Sequence, residues 1–262
     1  MPSTQPLDHL PLWTLPLITV AVMLVALEAG YRLGRRRSER SEHEKESLVG
    51  AAVAATLALA GFMLAFTFGI AGSRFDARRQ AVLDEANAIG TTYLRASLLP
   101  EDRGKNIRRL LRQYVDSRLE AVRTGEIEKG LRRSGELHRQ LWAEAEPIAK
   151  KHPESIQVGL FIQALNQTID LHTTRVAASL YSRIPLVVWI ALYTLAAVSV
   201  LGIGYQAGLT GKARSISFLT LAVTFAVVLF LVADLDRPRE GMLRVSQQAL
   251  IDLRSTMDEP NP

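Results

Sequence analysis

Four long apolar runs leave this chain few ways to fold. Leu10 to Ala29, Val49 to Ala71, Ile184 to Tyr205 and Ile216 to Ala233 each approach or exceed the roughly 18 to 20 apolar residues that cross about 30 Å of hydrocarbon. Length alone, at 262 residues, would suggest one or two soluble domains, but the apolar residues are concentrated in these blocks rather than spread evenly. The expected fold is an all-α membrane protein: four transmembrane helices in two hairpins, with a helical bundle inserted between spans two and three. Its segments are a first hairpin over residues 1–72, an extramembrane bundle over 73–183, a second hairpin over 184–235 and an amphipathic C-terminal tail over 236–262.

Charge distribution orients these spans. Nothing basic precedes the first run, whereas "RLGRRRSER" follows it at once, so it reads as an uncleaved span rather than a secretory signal. The arginines and lysine between Tyr31 and Leu48 lie in a short loop beside two membrane ends, where the positive-inside bias counts most. That loop is expected to be cytoplasmic, and Lys212 and Arg214 between spans three and four agree. Residues 73–183 and both termini then lie outside the cytoplasm. The formal net charge of +5 is modest and the arginines are interspersed with acids, which argues against a nucleic-acid partner. There is no cysteine, so disulfides, thiolate nucleophiles and cysteine metal sites are excluded together.

The polar segment reads as helix throughout. Phe75, Val82, Ile89 and Tyr93 recur at helical spacing with Ala86 and Ala96 on the same face, so span two is expected to continue several turns beyond the membrane. Pro100 interrupts it. A second helix carries Ile107, Leu110, Leu111, Tyr114, Arg118 and Val122 on one side and Lys105, Arg108, Arg109 and Arg112 on another. A third runs from about Glu126 to Lys150, with Ile127, Leu131, Leu141 and Ile148 on its inner stripe. A fourth opens near Glu154 after Pro153 and runs towards Pro185, at the entry to span three.

No catalytic signature emerges, and neither an enzyme nor a cofactor is expected. The five histidines show no spacing that sets two ligands on one helical face. "GLTGKARS" lacks the separation of a phosphate-binding loop and follows a membrane span rather than a strand. Glu28, costly near a membrane end, has Arg32 one turn on as a partner. Small residues recur through span two, at Gly50, Ala54, Ala58, Gly61, Ala65 and Gly69, a spacing that suits close packing on another helix. Phe62 and Phe66 project from a neighbouring face, where periodicity fits lipid or core packing as well as any function. The basic stripe fits a solvated face as well as an anion-attracting one.

The stretch "FMLAFTFGIAGSRFDARRQAVLDEANAIGTTYLR", Phe62 to Arg95, resembles the second transmembrane helix and following helix of bestrophins, and more closely those of the bacterial bestrophin-like family. Phe62 and Phe66 match two neck phenylalanines that precede an Arg-aromatic pair, here Arg74 and Phe75, and Ala58 stands at the third neck position. "RIPLVVW" and "DLDRPREGMLRVSQQALIDL" resemble the entry to the third span and the segment after the fourth. The resemblance implies a homopentameric channel in a bacterial inner membrane, conducting small inorganic anions such as chloride. Its second helices would surround one axial pore, with Ala58, Phe62 and Phe66 as the constriction, Arg74 and Phe75 on the pore-helix extension, and Lys105, Arg108, Arg109 and Arg112 as a candidate anion-attracting face. The alternative is a non-conducting scaffold or sensor that binds a partner through its helical bundle. Two departures stand out. "TFG", Thr67 to Gly69, replaces the family's Arg-Thr-Asn, and no acidic run follows Pro238 to supply a calcium clasp. The family also places its helical insert in the cytosol, whereas the local charges place this one outside. Alkaline phosphatase fused at residue 125 is therefore expected to be active; activity only from a cytosolic reporter there would reverse the orientation.

Overall fold

The computed structural model describes residues 10–39, 46–211, 216–237 and 241–258. The loop residues 40–45, Lys212 and Arg214, the segment 238–240 and the chain ends lie outside the described residues. Eight helices make up the described chain: α1 (Thr14–Glu39), α2 (Glu46–Ala96), α3 (Glu101–Thr124), α4 (Ile127–Lys151), α5 (Ile156–Leu180), α6 (Leu186–Leu209), α7 (Ile216–Asp236) and α8 (Gln248–Thr256). Four of them, α1, α2, α6 and α7, are long and apolar enough to cross a membrane.

Local chemistry explains the breaks. Pro100 stands at the N-cap of α3, whose first turn carries Glu101 and Asp102 against the positive end of the helix dipole. The helix stops at Gly125, where φ is +76°. α5 starts two residues later than the proline signal suggested, because the Ser155 hydroxyl caps the Val158 N–H at 3.4 Å. Pro185 opens α6.

The chain divides into two compact units. The first comprises residues 1–75 and 182–244. Here α1 packs along α6 and, less extensively, along α7, so among the described residues its main neighbours are the last two spans rather than the span that follows it. Lipid tails are as apolar as leucine and supply no hydrophobic drive between helices, so close backbone contact must hold them. Gly30 and Gly34 of α1 face Gly204 and Gly208 of α6, and no side chain fits between. A methyl at Gly30 would lie 2.0 Å from the Leu201 carbonyl oxygen, and one at Gly204 would lie 2.2 Å from that of Leu27. Two glycines in the middle of α2 behave differently. A methyl at Gly61 or Gly69 would meet nothing within 4 Å, so no described helix packs closely there.

The second unit comprises residues 76–181 and 245–262. Val82, Ile89, Ile107, Leu111, Leu137, Leu141, Phe161 and Leu165 form its core, joined by Leu250 of α8. The inner stripes follow the helical periodicity, with two departures: Ala121 is buried whereas Val122 is exposed, and Ile127 and Leu131 of α4 are only half-buried while Gly130, Ser134 and Leu137 are buried. Replacing Gly204 with alanine should force α1 and α6 apart and lower the unfolding midpoint by an amount equivalent to about 1–3 kcal/mol. Gly159→Ala, where the methyl meets nothing, should change it by no more than about 0.5 kcal/mol in a thermal melt in detergent.

Candidate functional site

The candidate site is built on α2, 51 residues of unbroken helix and thus about 75 Å long, more than twice what a bilayer requires. At about 100° per residue, Ala51, Ala55, Ala58, Phe62, Phe66 and Gly69 fall on one stripe, and all are exposed. The opposite stripe, Ala60, Leu64, Thr67 and Ala71, is buried. Phe62 and Phe66 are 63% and 58% exposed, and their rings stack with centroids 6.4 Å apart and planes 14° from parallel. Thr67, in the stretch that departs from the family pattern, turns inward and gives its hydroxyl proton to the Met63 carbonyl at 2.8 Å.

The helical register carries the bare stripe onward, and its composition changes. Gln80, Asn87 and Thr91 are exposed and Asp84 half-buried, with the Gln80 amide donating to Asp84 at 2.8 Å. One face of one helix is thus small and apolar with two aromatic rings in its membrane-grade half, and polar beyond it.

Within the first unit, Arg74 and Phe75 are half-buried. Phe75 packs against the apolar core, and Arg74 Nη1 lies 4.0 Å from the buried Asp236 carboxylate. Asp236 also accepts from the Ile184 N–H at 2.8 Å and from Arg183 Nε at 3.0 Å. Asp234 accepts from the N–H groups of Met242 and Leu243 at 2.8 and 3.0 Å. The turn around it requires Gly241, whose φ is +117° and where a methyl would sit 2.1 Å from Asp234 Oδ1. Both aspartates after the fourth span are therefore committed to protein donors.

In the second unit the basic stripe is divided by its partners. Arg112 is bound to the Met257 carbonyl and the Tyr93 hydroxyl, which ties the C-terminal helix to α3. Arg108 lies over the Tyr93 ring at 6.0 Å. Lys105 pairs with Glu101 at 2.5 Å and Arg109 with Asn106, and these two side chains stay exposed.

A buried ionisable cluster, which helical spacing alone does not assemble, draws on four helices. Glu85 of α2 is fully buried and lies 14 residues beyond the apolar run in sequence. It accepts from Tyr114 Oη at 2.5 Å and from Arg175, with Arg118 Nε 3.6 Å and His172 Nδ1 3.4 Å away. A phenol has one proton, which Tyr114 gives to Glu85, so the 2.9 Å contact between Tyr114 Oη and His172 requires His172 to donate from Nδ1. Arg175 donates again to Gln247 Oε1 at 2.6 Å. His138 of α4 stacks on this cluster, 4.7 Å from the Tyr114 ring and 4.9 Å from that of His172.

Burial alone would raise the Glu85 carboxyl. His172, the charges of Arg118 and Arg175, and the Tyr114 hydroxyl outweigh burial and hold it well below the usual carboxylate range. Burial, followed by the adjacent negative charge of Glu85, pushes the Tyr114 phenol up. Burial, then the neighbouring His172, lowers His138 to about 4. Among the described residues no group of three or more His, Cys, Asp or Glu is placed to hold a metal.

Residues 18–250 match the Bestrophin-like domain. The chain belongs to the bestrophin-like family. The family resemblance read from Phe62 to Arg95 is thereby upheld over most of the sequence. A solved structure of a bacterial bestrophin homolog from Klebsiella pneumoniae, carrying one point mutation, superposes with a TM-score of 0.64 at 15% identity, covering 94% of this chain and 97% of that one. A second point variant of the same homolog gives 0.54 at 14% identity, covering 91% and 98%. A crystal structure described as a membrane protein gives 0.64 at 15% identity, covering 94% and 97%. At such identity the likeness shows the bestrophin fold and nothing finer. No curated protein matches the sequence.

The Glu85 cluster of this bestrophin-like chain makes a stability prediction. Glu85→Gln leaves two buried guanidiniums without their counter-charge and should cost about 3–5 kcal/mol in denaturant unfolding. Loss of the more exposed Arg103–Glu144 pair through Arg103→Ala should cost no more than about 1 kcal/mol. Because the folded Glu85 binds its proton less tightly than the unfolded one, its contribution is complete above the ordinary value of 4.5 and is lost as pH falls below it.

Proposed function

We infer that the chain assembles as a homopentamer in a bacterial inner membrane and conducts small inorganic anions through an axial pore lined by α2. The observation that carries this reading is the bare stripe of α2. A stripe that packs on nothing among the described residues, that is small and apolar but for two stacked phenylalanines, and that turns polar beyond the membrane-grade run suits the wall of a narrow pore opening into water. Repeated around an axis, Phe62 and Phe66 make two aromatic rings with Ala58 one turn away, a hydrophobic constriction of the kind that gates by dewetting. Lys105 and Arg109, the exposed members of the basic stripe, then raise the local concentration of anions. The helical bundle and both termini face the periplasm, following the arginines after span one. Family membership supports the channel class, and the bilayer is the expected surrounding.

Reconstituted in planar bilayers, the protein should carry chloride current, and Phe66→Ala should enlarge it several-fold by removing one aromatic ring. Silence from both proteins would remove conduction from the reading. Native mass measurement of the detergent-solubilised assembly should give about five times the 28.9 kDa chain mass, and a monomer would leave no axis for the pore.

A further inference from the structure

His138 occupies an environment suited only to its neutral form. It is 9% exposed, and its Nε2 is buried without a hydrogen-bond partner among the described residues. Around it stand Glu85 from α2, Tyr114 and Arg118 from α3, and His172 from α5, with Arg175 of α5 bound to Glu85; Arg139 and Glu146 of its own helix border the same region. The one carboxylate within the cluster, Glu85, already accepts from Tyr114 and Arg175 and lies against Arg118 and His172. An imidazolium at His138 therefore finds the Arg118 guanidinium and a second imidazole nearby, and its buried Nε2–H meets no acceptor among the described residues.

The surroundings also define which way the strain is relieved. On its outer side His138 lines a shallow open hollow with Arg139, Trp142, Ala143 and Glu146 of α4 and Ile169 of α5. α4 packs much more extensively on α3 than on α5, so the α4–α5 seam is the weaker of its two attachments. Pro147 lies inside α4 and has no N–H for the carbonyl one turn back, which gives the helix a place to bend.

We propose that His138 is a proton-operated latch on the α4–α5 seam: uptake of a proton by this imidazole releases α4 from α5 and brings the buried ring into contact with the water of the hollow. The latch is closed when His138 is neutral and opens on mild acidification. With a closed value of about 4 and an ordinary value of 6.5 once the ring reaches water, the opening equilibrium rises about 30-fold at about pH 5 relative to about pH 7.5. The sign follows from linkage. The closed form binds its proton less tightly, so acid draws the protein towards the open form. Glu85, held well below 4.5, keeps its charge at that pH and does not contribute the response.

The test is hydrogen–deuterium exchange of the full chain in lipid nanodiscs at about pH 7.5 and about pH 5, corrected for the pH dependence of intrinsic exchange. Amides of α4 beyond Leu137 and those of α5 that face it should exchange up to about 30-fold faster at the lower pH, while α3 stays protected. His138→Phe, which keeps an aromatic ring in the stack, should abolish the response. An identical acid response in that variant, or no response in the unaltered protein, overturns the latch. Should the variant not fold, exchange at the imidazole carbon of the unaltered protein reports the titration of His138 directly, and a midpoint near 6.5 overturns it equally. None of these readouts involves conduction. A silent protein whose α4 opens in acid keeps the latch, and a conducting protein whose α4 does not respond removes it.

Discussion

Direct backbone contact between α1 and α6 is the interaction on which the membrane part of this fold depends. Hydrocarbon gives apolar side chains no reason to leave it, so helices in lipid associate through packing and hydrogen bonds, and both strengthen as backbones approach. Gly30, Gly34, Gly204 and Gly208 permit an approach that a single methyl would prevent. With α1 and α6 locked in this way, and α7 against α1, only one face of α2 is needed to complete the apolar core of that unit. Its other face is left without a partner among the described residues. That division of labour gives a membrane helix a bare stripe carrying Phe62 and Phe66.

Charge does comparable work in both units, and in both it sits where water is excluded. Asp236 gathers Arg183, the first N–H of the segment leading into α6, and Arg74 of α2 around one buried carboxylate. Glu85 gathers Tyr114, Arg118, His172 and Arg175 in the same manner. A buried carboxylate is tolerable only with its acceptor sites filled, and filling them from several helices fixes how those helices are rotated against one another. His138 is the exception. It shares the cluster without sharing in the neutralisation, and so it is the group whose proton the fold opposes.

Some of this was readable along the chain. Glu85 falls on the same helical face as Val82 and Ile89, and Arg175 follows Phe161, Leu165 and Thr168 along the buried stripe of α5. Charged residues at such positions signal a buried polar network, and Arg118 stands out on the inner side of α3 for the same reason. What spacing could not show is that these residues meet. His138 and His172 lie on different helices 34 positions apart, with no period linking them. The basic stripe of α3 is equally clear in sequence, yet Arg112 is taken up by a carbonyl 145 residues away, while Lys105 and Arg109 are left to solvent.

The sequence by itself determined the elements: four membrane-grade helices, the continuation of α2 past the membrane, the breaks at Pro100 and Pro185, and the shared face of Phe62 and Phe66. All of these follow from local rules, namely hydrocarbon thickness, helical periodicity and the backbone limits of proline. Tertiary structure alone decided which glycines meet backbone and which face open space, which carboxylates are neutralised and by whom, and where a histidine is buried beside Arg118 with an unpartnered ring nitrogen. Those outcomes depend on contacts between segments far apart in the chain, and such contacts leave no period in the sequence that joins them.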